Sequence, residues 1–432
     1  MLDRRRFLTA STAAALTGTP LIRSFAAGEA KDPVRLAVIG VADRGAENLA
    51  GVASERIVGL CEVDEPRAAK ARGQFPKAEF FADYRKMLDR VGKDIDAVVV
   101  STPDHTHAHA ALSALALGKH VYCEKPLCHT VDEVRRVMKL AEAKKVVTQM
   151  GTQIHAGDNY RRVVEIVKSG KLGAVKRVHA WCSRRPDPGR VVRNAGAKLK
   201  FDLAQWLGPI PEDFFYATQQ NWPHFQWRWW WPFGGGVLED MGCHFLDLPF
   251  WALDLGSPTT VKATGTAIPN ADNTVPQTMQ VDYTFPAIEG RAEVHMTWYH
   301  GVPGPSLDGT VKYPGFFDGV LFEGEDGKKL LANYGALKLL PDAFAKDFKA
   351  PAETIAKSKG HHREWLYAIR GDGKTLCPFG YSGPLTEAVL LGNVAYRAGV
   401  ELKWDAAKAT TDSKEANAFL AIEPRIGWEW PA

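Results

Sequence analysis

Short apolar runs alternate with helical patterns over the first third of the chain, between residues 34 and 152. Each run is bounded by glycine, proline or a charged residue, which is typical of buried parallel strands. Amphipathic or alanine-rich segments such as 131–145 lie between the runs and predict helices. This alternation predicts a doubly wound parallel sheet of the Rossmann type. The predicted strands are 34–39, 56–64, 96–103, 120–123 and 146–152.

The rhythm changes after residue 152. Apolar and polar residues alternate with a period of two in 278–285 and 292–298, which predicts an antiparallel sheet with one buried face. Residues 321–341 resemble successive hairpins with Asp-Gly and Tyr-Gly turns. We therefore expect a Rossmann domain over 31–152 and a second domain over 153–432. The helices predicted in the second domain are 159–169, 361–371 and 385–399.

Residues 1–30 have the organisation of an export signal. Arg4-Arg5-Arg6-Phe7-Leu8 matches the twin-arginine pattern R-R-x-F-L, and a weakly apolar stretch leads to the small-residue site Ser24-Phe25-Ala26. The alternative is a basic amphipathic or disordered tail. The order of the three features favours export by the twin-arginine route, which would make the protein periplasmic. These residues are excluded from the predicted fold.

Charge and cysteine usage exclude several classes of protein. The chain has 54 Lys and Arg against 50 Asp and Glu, a net charge of +4 in 432 residues, and part of this excess lies in the signal. A nearly neutral body gives no reason to expect nucleic acid as a partner. No apolar run reaches about 18 residues, so no membrane span is expected. The six cysteines form no C-x-x-C pair, and we predict no metal site.

The first predicted strand ends in a glycine turn. Gly40, Ala42 and Gly45 have the spacing of G-x-G-x-x-G, with Ala42 in place of the middle glycine and Arg44 within the turn. Alone the motif is weak, since an ordinary strand–helix turn can look the same. Its position between a strand and a helix predicts a dinucleotide pyrophosphate site.

Acidic residues at the end of the second strand bear on the choice of cofactor. Glu62, with Asp64 as the second candidate, lies where a carboxylate would accept the ribose 2′-hydroxyl and repel a 2′-phosphate. We therefore expect NAD, with NADP disfavoured. A solvent-exposed strand end is the alternative reading of Glu62. Further candidates for cofactor contact lie at the end of the third strand and just beyond it: Thr102, Pro103, His105 and His107.

Two more segments carry candidate chemistry. Glu124 and Lys125 follow the fourth strand, where an ammonium group could stabilise an alkoxide beside a nicotinamide. Asp240 and His244 are spaced i, i+4, so on a helix they would share one face. The alternative is an Asp–His pair that only packs. Gly234–Gly236 precede them and would let the backbone approach the cofactor.

On these residues the chain resembles the Gfo/Idh/MocA oxidoreductases. The resemblance rests on the glycine turn, on "TPDHTHAHAALSALALGKHVYCEKPL", on "VKSGKLGAVKRV" and on "GGGVLEDMGCHFLD". It implies an α/β fold with an N-terminal Rossmann-type sheet and a C-terminal α+β domain with an open, largely antiparallel sheet. It also implies that Lys125, Asp240 and His244 line the active site, and that the protein is a homo-oligomer through the C-terminal sheet. Ala42 departs from the family pattern.

The implied chemistry is oxidation of an alcohol. His244 would accept the hydroxyl proton, Lys125 would stabilise the negative oxygen, and Asp240 would orient the hydroxyl. Glu124 and Lys125 are also predicted to contact the nicotinamide of the cofactor at this site. Further residues are predicted to contact substrate: Tyr160, Arg161, Arg184 and Trp230, the last as part of a tryptophan wall, together with His244.

Three functions remain open. The first is an NAD(P)-dependent oxidoreductase that transfers hydride between a sugar, cyclitol or glycoside hydroxyl and a tightly bound nicotinamide cofactor. Export favours a tightly bound cofactor, because no free NAD pool exists outside the cytoplasm. The second is a redox-neutral glycosidase that oxidises, eliminates, hydrates and reduces. The third is a non-catalytic protein that senses a cofactor or sugar.

Overall fold

The computed structural model describes most of the chain after the predicted signal, and Pro33–Ala432 form one compact unit. The predicted boundary between residues 152 and 153 stays a prediction. Among the described residues, no helix is both long and apolar enough to cross a membrane. The predicted signal at 1–30 lies outside the described residues. The described ranges are 32–186, 201–211, 224–269, 274–302 and 316–431.

A parallel sheet with the order β3-β2-β1-β4-β5-β6 forms the first half of the described fold. All neighbouring strands run parallel, and the central strand β4 is fully buried along its length. A strand covered on both faces must be apolar throughout, which explains the run AVVV. The predicted doubly wound sheet is confirmed. Its strands are β1 (Arg35–Ile39), β2 (Arg56–Cys61), β3 (Glu79–Phe81), β4 (Ala97–Val100), β5 (His120–Cys123) and β6 (Thr148–Met150).

Helices connect these strands and cover the sheet. In α5, the Thr130 side chain accepts a hydrogen bond from the Glu133 backbone N–H while the Glu133 carboxylate accepts from the Thr130 N–H, a capping box that fixes where the helix begins. The chain then enters the second half through α6. The helices are α1 (Arg44–Gly51), α2 (Glu65–Gln74), α3 (Tyr84–Val91), α4 (His107–Ala116), α5 (Val131–Lys144) and α6 (Asp158–Lys168).

A larger, mostly antiparallel sheet forms the second half, with the order β13-β12-β11-β7-β10-β9-β8-β14-β15. The β10–β7 pair is parallel. In β9, Met279, Val281, Tyr283 and Phe285 are buried, as the period-two pattern predicts. The open, largely antiparallel sheet is thus confirmed. Its strands are β7 (Arg177–Cys182), β8 (Thr260–Thr266), β9 (Thr278–Phe285), β10 (Val294–His300), β11 (Gly319–Glu323), β12 (Lys329–Ala332), β13 (Leu337–Leu340), β14 (Leu402–Asp405) and β15 (Thr410–Thr411).

Two helices packed against each other support the candidate site. A Cβ on Gly242 of α8 would lie 2.9 Å from a Val389 methyl, and one on Gly392 of α12 would lie 2.7 Å from a Leu238 methyl, so glycine permits this close approach. Helix α12 begins six residues earlier than predicted and continues through Pro384. The remaining helices are α7 (Leu203–Leu207), α8 (Gly236–Phe245), α9 (Asp247–Ala252), α10 (Asp342–Asp347), α11 (His361–Ile369), α12 (Phe379–Ala398) and α13 (Lys414–Asn417).

Candidate active site

A cleft of about 310 Å³ opens at the carboxyl edge of the parallel sheet, where ligands of such sheets bind. One wall consists of the glycine turn and the residues that follow β2 and β4. The other wall comes from much later in the chain. The predicted cofactor residues that line the cleft are Gly40, Ala42, Arg44, Glu62, Asp64, Thr102 and Pro103.

The glycine turn brings β1 and α1 close together. A Cβ on Gly40 would lie 2.5 Å from the Ser101 carbonyl oxygen, and one on Gly45 would overlap the Gly40 carbonyl oxygen. Gly40 also has φ 80°, which favours glycine. At Ala42 the backbone does not require glycine, since the left-handed conformation falls on Asp43, with φ 47°. The first amide groups of α1 lack intrahelical acceptors, so the start of this helix suits an anionic pyrophosphate.

Glu62 lines the same cleft and contacts the glycine turn. Its Oε2 accepts a hydrogen bond from the Val41 backbone N–H at 3.2 Å, and its Oε1 accepts from the Asp64 N–H at 3.1 Å. Burial raises the pKa of this carboxyl from its ordinary value, and the two backbone hydrogen bonds oppose the rise. Each oxygen keeps acceptor capacity for a ribose hydroxyl. The glycine turn and the start of α1 would hold the pyrophosphate of NAD, and Glu62 would accept hydrogen bonds from its ribose hydroxyls.

The opposite wall was largely missed by the sequence analysis. It contains Phe225, Trp227 and Arg228, and also Trp428 from the carboxyl-terminal segment. The Arg228 guanidinium lies over the Trp227 ring, 4.3 Å from its centroid. Of the predicted tryptophan wall, Trp227 therefore lines the cleft. The signal for Arg228 was its place in the W-R-W-W-W run, whereas no pattern linked Trp428 to the site.

Three cations converge on Asp240 of α8. Lys125 Nζ lies 2.8 Å from Asp240 Oδ1 and donates to the Asp240 carbonyl oxygen at 2.8 Å. Arg228 Nε donates to Oδ1 at 3.2 Å, and Arg184 Nη1 donates to Oδ2 at 3.2 Å. Burial would raise the pKa of Asp240, but the charges of Lys125 and Arg228 outweigh it and hold the pKa well below its ordinary value. The carboxylate is therefore ionised and fixes the Lys125 ammonium group in place.

His244 follows one turn later on the same helix, as the i, i+4 spacing predicts. Burial, and after it the positive charge of Lys125, lowers its pKa to about 3. Its Nδ1 is buried and has no hydrogen-bond partner among the described residues. The predicted base was an imidazole that titrates near neutral pH, whereas the buried His244 ring has a much lower pKa. In the free protein His244 is a neutral ring beside a cation.

A buried ion pair lies behind this cluster. His129, four residues after Lys125, has Nδ1 2.7 Å from Glu239 Oε1, and Glu239 precedes Asp240 on α8. The other His129 nitrogen lies 2.8 Å from the Trp231 carbonyl oxygen. Burial would lower the pKa of His129, but the Glu239 charge and hydrogen bond raise it to about 9. The pair therefore ties the Lys125 segment to the catalytic helix.

Three residues predicted to contact the cofactor have structural roles instead. His105 is fully buried, with Nε2 3.0 Å from the Trp206 carbonyl oxygen. The His107 ring lies between the carbonyl oxygens of Thr102 and Pro126, each 2.8 Å away. Glu124 is buried and accepts hydrogen bonds from Arg44, Asn48 and Gln153. These side chains hold the strand ends in position, because polar groups buried here require partners.

Three predicted substrate contacts are also corrected. Tyr160 is fully buried, and its hydroxyl donates to the His244 carbonyl oxygen at 3.1 Å. Arg161 is buried and pairs with Glu364 at 2.8 Å. Trp230 is fully buried in the core. The sequence pattern could not show that Tyr160 bonds to His244 or that Trp230 is buried, because both contacts involve segments distant in the sequence. Arg184 contacts Asp240, so it lies at the cluster together with His244, the other predicted substrate residue.

A polar cluster of metal-ligand type lies buried elsewhere. Among the described residues, His155, Asp247 and Cys377 form such a group. Asp247 already bonds to His155 Nδ1, with both oxygens at 3.0 Å, and accepts from the Tyr381 hydroxyl at 2.8 Å. These contacts describe a packed hydrogen-bond network. The absence of a metal stays a prediction.

Fold and site together define a dinucleotide-binding oxidoreductase framework, and sequence comparison gives the family. Residues 34–152 match the family model described as "Oxidoreductase family, NAD-binding Rossmann fold", and residues 212–308 match the "GFO/IDH/MocA C-terminal domain". The two matches together span half of the chain. The protein belongs to the Gfo/Idh/MocA oxidoreductase family, and residues 34–152 form its NAD-binding Rossmann domain.

Curated relatives include inositol dehydrogenases. The chain is similar to inositol 2-dehydrogenase 1 of Saccharopolyspora erythraea, with 30% identity over 187 residues, covering 40% of this chain and 54% of that one. It is also similar to inositol 2-dehydrogenase of Burkholderia multivorans, with 34% identity over 133 residues, covering 30% of this chain and 38% of that one. The chain thus spans about half the length of the first curated relatives it matches.

Solved structures share the fold over nearly the whole chain. The WlbA dehydrogenase of Chromobacterium violaceum, solved with NADH and UDP-GlcNAcA, has a TM-score of 0.60 at 17% identity and covers 88% of this chain and 98% of its own. An oxidoreductase domain protein of Kribbella flavida has a TM-score of 0.60 at 18% identity and covers 86% and 99%. At such identities the likeness shows the fold alone.

Proposed function

We propose that the protein is an NAD-dependent oxidoreductase that transfers hydride between a sugar, cyclitol or glycoside hydroxyl and a tightly bound nicotinamide cofactor. The observation that carries the proposal is the Lys125–Asp240 pair, buried beside His244. Arg228 both lines the cofactor cleft and binds Asp240, so the cleft leads to this pair. The inositol dehydrogenases among the relatives support a polyhydroxylated substrate.

Each of the three side chains has a distinct part in the proposed reaction. Bound NAD would supply the hydride acceptor. The Lys125 ammonium uses Asp240 for two contacts and keeps a third N–H for the substrate oxygen, which it would stabilise as negative charge develops. Ionised Asp240 keeps the ammonium aimed at that position. Neutral His244 has a lone pair that can accept the hydroxyl proton.

The low pKa of His244 is consistent with this order of events. The positive charge of Lys125 contributes to that low value, while the negative charge of Asp240 opposes it. When the ammonium becomes engaged with a negative substrate oxygen, its effect on the imidazole weakens. His244 then becomes a better base at the step that needs one.

The test begins with the purified protein and no added cofactor. Bound nicotinamide is released by denaturation and identified, and the native protein is then offered inositol, neutral sugars, sugar acids and aryl glycosides. We expect bound NAD and turnover of at least one polyhydroxylated class. Absence of NAD and NADP binding, together with absence of turnover, would favour the sensing function instead.

A second candidate is the redox-neutral glycosidase, and Asp104 favours it. This carboxyl follows the β4 edge and is buried. Burial, and after it the charge of Glu239, raises its pKa well above the ordinary value, while Lys125 acts in the opposite direction. A buried carboxyl whose pKa is raised favours its protonated form and can act as a general acid. After oxidation of a ring hydroxyl, it would protonate the oxygen of the departing aglycone.

The same assay separates the two candidates. Release of an aglycone without net NADH indicates the hydrolytic cycle, and NADH accumulation with added NAD indicates a simple dehydrogenase. Preference for NAD over NADP, periplasmic export by the twin-arginine route and assembly through the C-terminal sheet belong to the same proposal. A signal-dependent periplasmic location of a tagged full chain would test the export step.

A further inference from the structure

The charge balance around Asp240 is uneven. Lys125, Arg228 and Arg184 share the single carboxylate of Asp240, so the cluster has a net positive charge when all four groups are ionised. Such an excess in a partly buried site is costly unless a ligand anion completes it. The Lys125 side chain is only 13% exposed. The cluster therefore favours an anionic partner.

Three neighbouring acids do not remove this excess, and a fourth, Asp318, which accepts a hydrogen bond from the Ser183 N–H, can offset only part of it. Glu124 pairs with Arg44 at 3.0 Å. Glu239 pairs with His129. Asp104 is buried, and the rise in its pKa favours its neutral form. Each of these three carboxyl groups is thus either matched to another cation or uncharged.

Arg184 has the donors such a ligand would need. Its Nη1 binds Asp240, whereas its Nε and Nη2 meet no acceptor among the described residues. These two nitrogens form the side-on fork of a guanidinium, which matches the two oxygens of a carboxylate. The side chain is 53% exposed and can meet a ligand from solution.

Arg184 and Arg228 differ in position. Arg228 lines the cofactor cleft and also donates to the Phe225 carbonyl oxygen, so it belongs to the cofactor wall. Arg184 lies two residues beyond the end of β7, in the other sheet, and reaches Asp240 on its Oδ2 side. Because Lys125 and Arg228 both occupy the Oδ1 side, Arg184 approaches the carboxylate separately.

We infer that the substrate is an acidic sugar whose carboxylate is bound by the free Nε–Nη2 fork of Arg184. This inference rests on the proposed oxidoreductase function and names its substrate class. The carboxylate balances the excess charge, and the reacting hydroxyl of the same sugar lies next to Lys125. A neutral sugar leaves both the fork and the excess charge unmatched.

The test compares sugar acids with their neutral parents. Wild type, R184Q and the matched control R185Q are loaded with NAD and assayed with D-glucuronate, D-galacturonate, D-glucose and D-galactose. R185Q removes the same charge one residue away. The Arg185 guanidinium donates to the Gly301 carbonyl oxygen and not to Asp240. We expect wild type to favour at least one acid over its parent by tenfold or more in kcat/KM. R184Q should raise KM for that acid at least tenfold with NADH affinity unchanged, and R185Q should resemble wild type.

The outcomes distinguish the two claims. Equal turnover of an acid and its neutral parent, or an equal loss on both in R184Q, overturns the acidic-sugar inference and leaves the oxidoreductase proposal standing. Turnover of the neutral sugars alone does the same. Failure to bind NADH and to turn over any sugar overturns the proposed function and this inference with it. NADH titration of R184Q shows that a weakened variant is still folded.

Discussion

The buried Glu239–His129 pair gives a quantitative prediction about what holds the site together. The pKa of His129 is raised from 6.5 to about 9 in the folded protein, although burial opposes the rise. The two side chains are 1% and 7% exposed, so solvent screens the interaction little. A difference of this size corresponds to a stabilisation of about 3 kcal/mol.

The sign of the pH dependence follows from the raised pKa. The stabilisation is fully present below about pH 6.5, where His129 is protonated in both folded and unfolded chains, and is lost as pH rises through about 9. E239Q removes the negative charge that raises the pKa of His129, so burial then favours the neutral imidazole. The variant should therefore be less stable than wild type by about 3 kcal/mol at low pH, and the gap should close at high pH.

Denaturant unfolding measures the gap. Wild type, E239Q and the control D132N are unfolded at about pH 6 and about pH 9.5, on either side of most of the titration. Asp132 pairs with Arg136 on the surface, where the side chains are 35% and 45% exposed, and D132N should cost less than about 1 kcal/mol at both values. A gap for E239Q below about 1 kcal/mol, or one that does not change with pH, would refute the reasoning.

Three further predictions concern the cofactor, the support of the helix and the pH profile. E62A should weaken NAD binding about tenfold and NADP binding less, because a carboxylate that accepts ribose hydroxyls is lost; fluorescence titration with NADH and NADPH measures the ratio, and an unchanged ratio contradicts the assignment. Y160F should lower the free energy of unfolding by about 1 kcal/mol while KM stays unchanged, because the lost hydroxyl is buried and donates to the His244 carbonyl oxygen; a large KM change would restore Tyr160 as a substrate contact. Since the pKa of His244 is about 3 in the free protein, kcat/KM should show no His244 ionisation between about pH 5 and 8, whereas an inflection that disappears in H244Q would show that the imidazole titrates there.

The sequence was most informative where one segment determines its own geometry. Apolar runs specified β1 and β4, period-two alternation specified β9, and the i, i+4 spacing placed Asp240 and His244 on one helix. These features need only local pattern and burial, which the residues themselves encode.

Pairings between distant segments could not be read in the same way. Arg228, Trp428 and the His129–Glu239 pair join the site through contacts between distant residues. For the same reason Tyr160 and Trp230, which are predicted to contact substrate, are in fact buried. Both are polar–aromatic side chains of the type found in binding sites, and only the packing of α8 and the core shows that they are covered.

The central claim is that Lys125 serves the chemical step. The decisive measurement is the near-ultraviolet absorbance of NADH after wild type, K125M and the exposed-surface control K139M are each loaded with NAD and mixed with a sugar or cyclitol that wild type turns over. We predict that wild type and K139M form NADH in a single turnover, and that K125M binds NADH with similar affinity but forms at least a hundredfold less, a loss of about 3 kcal/mol in transition-state stabilisation. Equal NADH formation by K125M and wild type would contradict the account.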